Sequence, residues 1–153
     1  MENSDKAAIP SKEQQMPMLD VRFQFLKDLS FESNGHYITS ELPIQQDIRV
    51  SFNVNVISFE VQNLYDVVLS CKIESMFEEQ LVYVIELQYG ARVMLSEHIS
   101  EYERDIMLFV TTPTLLFPYV RNIVSETVCL GSYPTLLLAP FDFAALYARN
   151  KKE

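Results

Sequence analysis

The chain has 153 residues, 48% of them hydrophobic, and 21 Asp+Glu outweigh 12 Lys+Arg to give a formal net charge of -9. That length suits one domain with a real core, or one subunit of an oligomer, and the apolar content is too high for a disordered chain. The acidic balance opposes binding to nucleic-acid phosphates and to anionic lipid, and favours basic partners.

Residues 1–19 are polar, carry Pro10 and Pro17, and read as a flexible N-terminal arm. They hold no basic segment followed by an apolar run, so no signal peptide is expected. No uninterrupted apolar run approaches the ~20 residues that span a bilayer. The expectation is a cytoplasmic protein without membrane insertion.

A period of two then begins. VRFQFLKDLSFE puts Val21, Phe23 and Phe25 on one face, with a less regular alternation after Leu26. DIRVSFNVNVIS alternates cleanly, with Ile48, Val50, Phe52, Val54 and Val56 on one side. LYDVVLSCKIES turns Tyr65, Val67, Leu69, Cys71 and Ile73 inward, and FEEQ (77–80) connects it to LVYVIELQYGARVML. The predicted strands are 20–31, 47–59, 63–76 and 80–94. The last three are joined by short polar connections, which favours antiparallel pairing, since parallel neighbours need crossovers of a dozen or more residues.

The second half of the chain reads as helical. SEYERDIMLFV predicts a short helix ending before Pro113. From Thr114 the period becomes 3.6, with Leu116, Val120, Ile123 and Thr127 on one stripe and Phe117, Val124 and Val128 beside it. Pro118 fits a first turn, which predicts a main helix over 115–130 with Gly131 as its C′ residue. A final helix over 142–150 is predicted, capped by Asp142, before a short basic tail at 151–153. The main helix is apolar around more than half its circumference, more than one sheet face requires.

Nothing in the chain has the pattern of a catalytic or metal site. His36 and His98 lie in polar connections without a partner at metal-ligand spacing. Phosphate-binding and nucleophile-elbow motifs are absent from this sequence, and 3 glycines leave little material for a phosphate cradle. Cys71 and Cys129 form no CxxC pair and read as two buried, reduced thiols. Neither an enzyme nor a cofactor is expected. One feature stands out: between Gly131 and Asp142, where a polar loop would be expected, stand Tyr133, Leu136, Leu137, Leu138 and Phe141, flanked by Pro134 and Pro140.

LLFPYVRNIV followed by GSYPTLLLAPFDFAALY, with FLKDLSFES at 25–33 and YVIELQYG on the fourth strand, resembles the SecB family of export chaperones. The likeness runs from Val21 to Asn150. It departs from many relatives at Gly90-Ala91, where they have Gly-Gly, and in the short ending NKKE. The resemblance implies an α+β fold, a four-stranded antiparallel sheet with helices packed on one face, as one domain over 20–150. It further implies a homotetramer built as a dimer of dimers, and an ATP-independent chaperone that holds unfolded secretory precursors and delivers them to the SecA export ATPase.

Phe117, Tyr133, Leu136, Leu138, Phe141 and Phe143 are the candidate client-binding residues, in a groove whose prolines restrict the loop backbone. At positions matching family acids, Asp28, Glu32 and Glu86 are the candidates for receiving SecA's basic, zinc-bearing C-terminal segment, with the zinc held by the partner. Two other classes stay open: a holdase or assembly factor outside export on the same fold, and a small-ligand binder, which needs convergent polar groups in a pocket.

Overall fold

The structure, a computed structural model, describes residues 17–34 and 46–153. His36 and most of the expected N-terminal arm lie outside the described residues. The four strands are β1 (Leu19–Ser33), β2 (Asp47–Ser58), β3 (Leu64–Phe77) and β4 (Gln80–Leu95). All pairs are antiparallel and the order across the sheet is β1-β4-β3-β2. β2, β3 and β4 form a meander, so β1, first in the chain, lies beside the last strand.

Alternation decides the faces of β2 and β3 as the sequence predicts. Val67, Leu69, Cys71 and Ile73 on β3 meet Ala91, Tyr89, Leu87 and Ile85 on β4 and face the helices. Between β3 and β4, Glu78 and Glu79 both adopt positive φ (46° and 64°), the geometry of a two-residue hairpin turn.

β1 departs from the prediction. Register shifts at Arg22 and Lys27 mark two β-bulges, each of which moves later side chains to the opposite face. Val21 therefore faces the helices, whereas Phe23 and Phe25 do not share its face as expected. After the second bulge Leu29 and Phe31 return to the helical side, and Asp28, Ser30 and Glu32 face outward. The bulge at Lys27 accounts for the irregular alternation after Leu26.

The helical layer also differs. α1 (Glu101–Ile106) starts on a capping box: Ser100 Oγ accepts from the Glu103 amide at 3.2 Å, and Glu103 Oε2 accepts from the Ser100 amide at 2.7 Å. That hydrogen bonding holds the Glu103 carboxyl below its usual pKa. The chain does not stop before Pro113. It continues through a π-helical turn, Met107–Thr111, into α2 (Thr112–Leu130), which carries Pro113 near its start and Pro118 inside it. In the π turn the Thr112 amide bonds to the Met107 carbonyl, and Thr112 Oγ1 donates to the same oxygen at 2.7 Å. Shifting the ladder by one residue sets a new helix start at Thr112, where a proline lacking its N–H is tolerated. Pro118 costs one further bond to the carbonyl of exposed Thr114, which solvent can satisfy.

One continuous helix, Glu101–Leu130, results. By length and composition alone it is long enough and apolar enough to cross a bilayer, which the expected break at Pro113 concealed. In this fold it is the core helix. Leu116, Val120, Val124 and Val128 are at most 1% exposed over the sheet, yet only 33% of its most apolar stretch is buried within the chain.

α2 ends in a Schellman motif shifted by one residue from the prediction. The Ser132 amide bonds to the Cys129 carbonyl and the Tyr133 amide to that of Val128, with Ser132, not Gly131, at positive φ (61°). Gly131 serves packing: a Cβ there would lie 2.6 Å from Phe31 Cζ. α3 (Phe143–Asn150) is capped as expected, Asp142 accepting from the Ala145 amide at 3.0 Å.

Candidate functional site

Two surfaces carry the candidate residues. The first lies on the helical side, where edge strand β2, α2 and the segment before α3 converge. Phe52 on β2 is the hub: its ring centroid is 4.5 Å from Phe141 and 5.9 Å from both Phe117 and Phe143. Phe141 and Phe143 are 4.9 Å apart, and Phe117 and Phe143 6.2 Å. The edge position of β2 and the Pro140 bend bring together rings that are far apart in the chain. Such a cluster presents apolar, polarizable faces with no fixed hydrogen-bond pattern, which suits shape-based rather than sequence-based recognition.

The six predicted groove residues divide. Phe117, Leu136 and Phe141 pack on the core while keeping part of their surface open. Tyr133, Leu138 and Phe143 are buried. Tyr133 packs between Phe31 and Tyr83, with centroids 6.2 Å and 4.9 Å away, and its hydroxyl hydrogen-bonds that of Ser33. All three belong to the core, with Phe143 directly beneath the aromatic cluster; a client would not meet them.

Sequence reasoning passed over Phe52 and Leu137. Phe52 was legible as an inward residue of β2, but its pairing with Phe141 depends on the tertiary path of the loop. Leu137 is 65% exposed and, with Phe117, Pro118, Arg121, Asn122 and Ser125, lines an open depression along α2. Its odd-numbered place between Leu136 and Leu138 was the available signal, because in an extended segment neighbours face opposite ways.

The second surface is the sheet's outer face. Glu86 on β4 pairs with Ser30, which lies between Asp28 and Glu32 on β1, so the three carboxylates share one face, all exposed. Lys72 on β3 pairs with Glu86, its Nζ 3.8 Å from Glu86 Oε1 and 3.4 Å from Glu74 Oε1. At side-chain exposures of 50% and 56%, the Lys72–Glu86 pair holds little energy and leaves Glu86 free to exchange partners.

Elsewhere, His98 is exposed, and no cluster of three potential metal ligands occurs among the described residues. Cys71 is buried, and desolvation pushes its thiol up to about 12. Cys129, expected to be buried, is exposed near the end of α2, its Sγ 3.5 Å from Thr135 Oγ1. Both are free thiols.

A sheet of this order under a long helix, with an aromatic groove on one side and acids on the other, can be compared with known proteins. The family model described as preprotein translocase subunit SecB matches residues 12–153. The chain belongs to the SecB family. It is 37% identical over 140 residues to the protein-export protein SecB of Jannaschia sp., covering 89% of this chain and 81% of that one. It is 36% identical over 155 residues to the SecB of Paramagnetospirillum magneticum, covering 96% and 93%. The SecB-like chaperone of Mycobacterium tuberculosis, solved with a ChAD peptide from the HigA1 antitoxin, superposes with a TM-score of 0.68 over 81% of this chain and 91% of that one. At 16% identity that likeness is one of fold. SecB is a family of protein-export chaperones, which is not an enzyme class.

Proposed function

We propose that this SecB protein binds unfolded secretory precursors along the groove built by Phe52, Phe117, Phe141, Leu136 and Leu137, without ATP, and hands them to SecA in the cytoplasm. The aromatic cluster around Phe52 is the observation that carries this reading. Each apolar client side chain buried there is worth about 1.5–3 kcal/mol, so four or five offset the cost of association and reach micromolar affinity or better. The apolar helix surface still open in one chain, including Leu115, Tyr119 and Leu130, is the surface through which two dimers join as a tetramer. Burial in that assembly, not in a bilayer, accounts for the apolarity of this helix.

Asp28, Glu32 and Glu86 receive SecA's basic C-terminal segment, with the zinc carried by the partner. Contacts of this kind on a wet surface are screened by salt, since the Debye length falls from ~10 Å at 0.1 M to ~3 Å at 1 M. Calorimetry with that segment tests the assignment. Replacing all three acids by alanine abolishes binding while capture of unfolded precursor survives. A triple variant binding the segment as tightly as the parent rules the acids out.

A further inference from the structure

The outer face of the sheet has two halves. In register across β1, β4, β3 and β2, the rows beginning at Asp28, Ser30 and Glu32 hold Asp28, Glu32, Glu86 and Glu74 against Lys72 and Arg49. The rows beginning at Phe23 and Phe25 differ. They read Phe23, Arg92, Asp66, Ile57 and then Phe25, Gly90, Val68, Asn55. Arg92 and Asp66 neutralise each other through two hydrogen bonds of 2.8 Å and 2.9 Å. The fixed guanidinium lies 5.1 Å from the Phe23 centroid and 4.6 Å from that of Phe59. Phe25 lies over Gly90, where a Cβ would come within 2.7 Å of Phe25 Cζ, and its ring is 5.9 Å from Phe23. Phe23 is nonetheless 49% exposed, Ile57 38% and Phe59 37%. Three phenylalanines and a pinned arginine thus form a rigid, neutral, aromatic platform on the solvent side of the sheet, where polar residues are expected.

We propose that this platform takes the aromatic or large apolar residues of an extended partner segment whose basic residues lie on Asp28, Glu32 and Glu86. The inference rests on the acidic-surface reading given above and adds an apolar determinant to it. Charge complementarity selects the occupant. A second copy of this chain, at a net charge of -9, would bring acid against acid. The chain's own residues 1–16 carry Glu2, Asp5 and Glu13 against Lys6 and Lys12, so they lack the basic run that the neighbouring acids call for. Geometry sets the spacing. Arg92 and Glu86 are six residues apart on β4, about 20 Å along a strand, so an extended segment needs its basic and aromatic residues about six positions apart.

Fluorescence anisotropy on the full chain decides the matter. One probe is a synthetic peptide with a lysine run and, about six residues away, a pair of phenylalanines. The other carries serines in place of the phenylalanines. The parent should bind the first probe tenfold or more tighter. Phe23→Ser with Phe59→Ser should remove that difference without altering the affinity for the serine probe, while Phe23→Tyr keeps it. Alanine at Asp28, Glu32 and Glu86 should weaken both probes. If the acid variant weakens both probes but the phenylalanines add nothing in the parent, the platform is refuted and the acidic surface stands. If the acid variant changes neither probe, both readings fall. If deleting residues 1–16 is required before the phenylalanine probe binds more tightly than the serine probe, the chain's own arm occupies the platform and the proposal is overturned.

Discussion

Leu137 and Leu138 are adjacent in sequence and opposite in consequence. Leu137 is 65% exposed and Leu138 4%. Fully burying a leucine is worth about 1.5–3 kcal/mol, so the open part of Leu137 offers a client roughly 1–2 kcal/mol. Leu137→Ser should therefore weaken capture of an unfolded precursor by about five- to thirty-fold. Because little of the side chain is packed in the folded chain, stability should change by no more than ~0.5 kcal/mol. Leu138→Ser removes a packed side chain and leaves a hydroxyl in the core, which costs about 2–5 kcal/mol of stability. Precursor binding followed by anisotropy, with urea unfolding of each variant, measures both effects. Equal loss of client affinity in two variants that both remain folded would refute the assignment of Leu137 to the groove and Leu138 to the core.

Gly131→Ala should destabilise the chain by about 1–3 kcal/mol through the clash with Phe31, whereas Ser132→Gly should stabilise it by up to ~1 kcal/mol by relieving positive φ; thermal melts of the pair check the order. Cys129 should react with a thiol reagent in the native protein while Cys71 reacts only after unfolding. Because burial raises the Cys71 pKa from 9.0 to about 12, its neutral thiol favours the folded state below pH 9.0, and that contribution is lost as pH rises through about 12. Glu103→Gln should lower stability slightly at neutral pH and lose its effect in acid, since the depressed pKa of Glu103 stabilises above the unfolded value and that contribution is lost as pH falls through the folded one; urea midpoints against pH report it.

Much of the fold could be read from local pattern because each feature depends on neighbours in the chain. The alternation of residues 48–56 and 64–74 fixes two strands and their inward faces. The helix stripe through Leu116, Val120 and Thr127 indicates which side meets the sheet, although Val124 and Val128, read as lying beside it, are the fully buried members and Ile123 is only half-buried. Asp142 fixes the start of the last helix. The placement of Asp28 and Glu32 on one face was also legible, since the period of two runs without interruption from 28 to 32, whereas Glu86 was chosen by family resemblance and joins them through the β1–β4 register. What required tertiary structure has a common cause: contacts between residues far apart in sequence override the local rule. Bulges at Arg22 and Lys27 turn Phe23 and Phe25 away from Val21, because β1 must pair along β4, a strand about sixty residues later. A π turn carries the helix through Pro113 by shifting the hydrogen-bond ladder one residue, so that the proline falls in a first turn. Gly131 looks like the left-handed C′ residue but stands one place before it, where it makes room for Phe31, a ring from the first strand. In the groove, composition marked the loop as apolar but left its side chains unsorted. Which of them close over Tyr83 and which remain open beside Phe117 follows from where Pro134 and Pro140 send the backbone, and only the folded chain decides that.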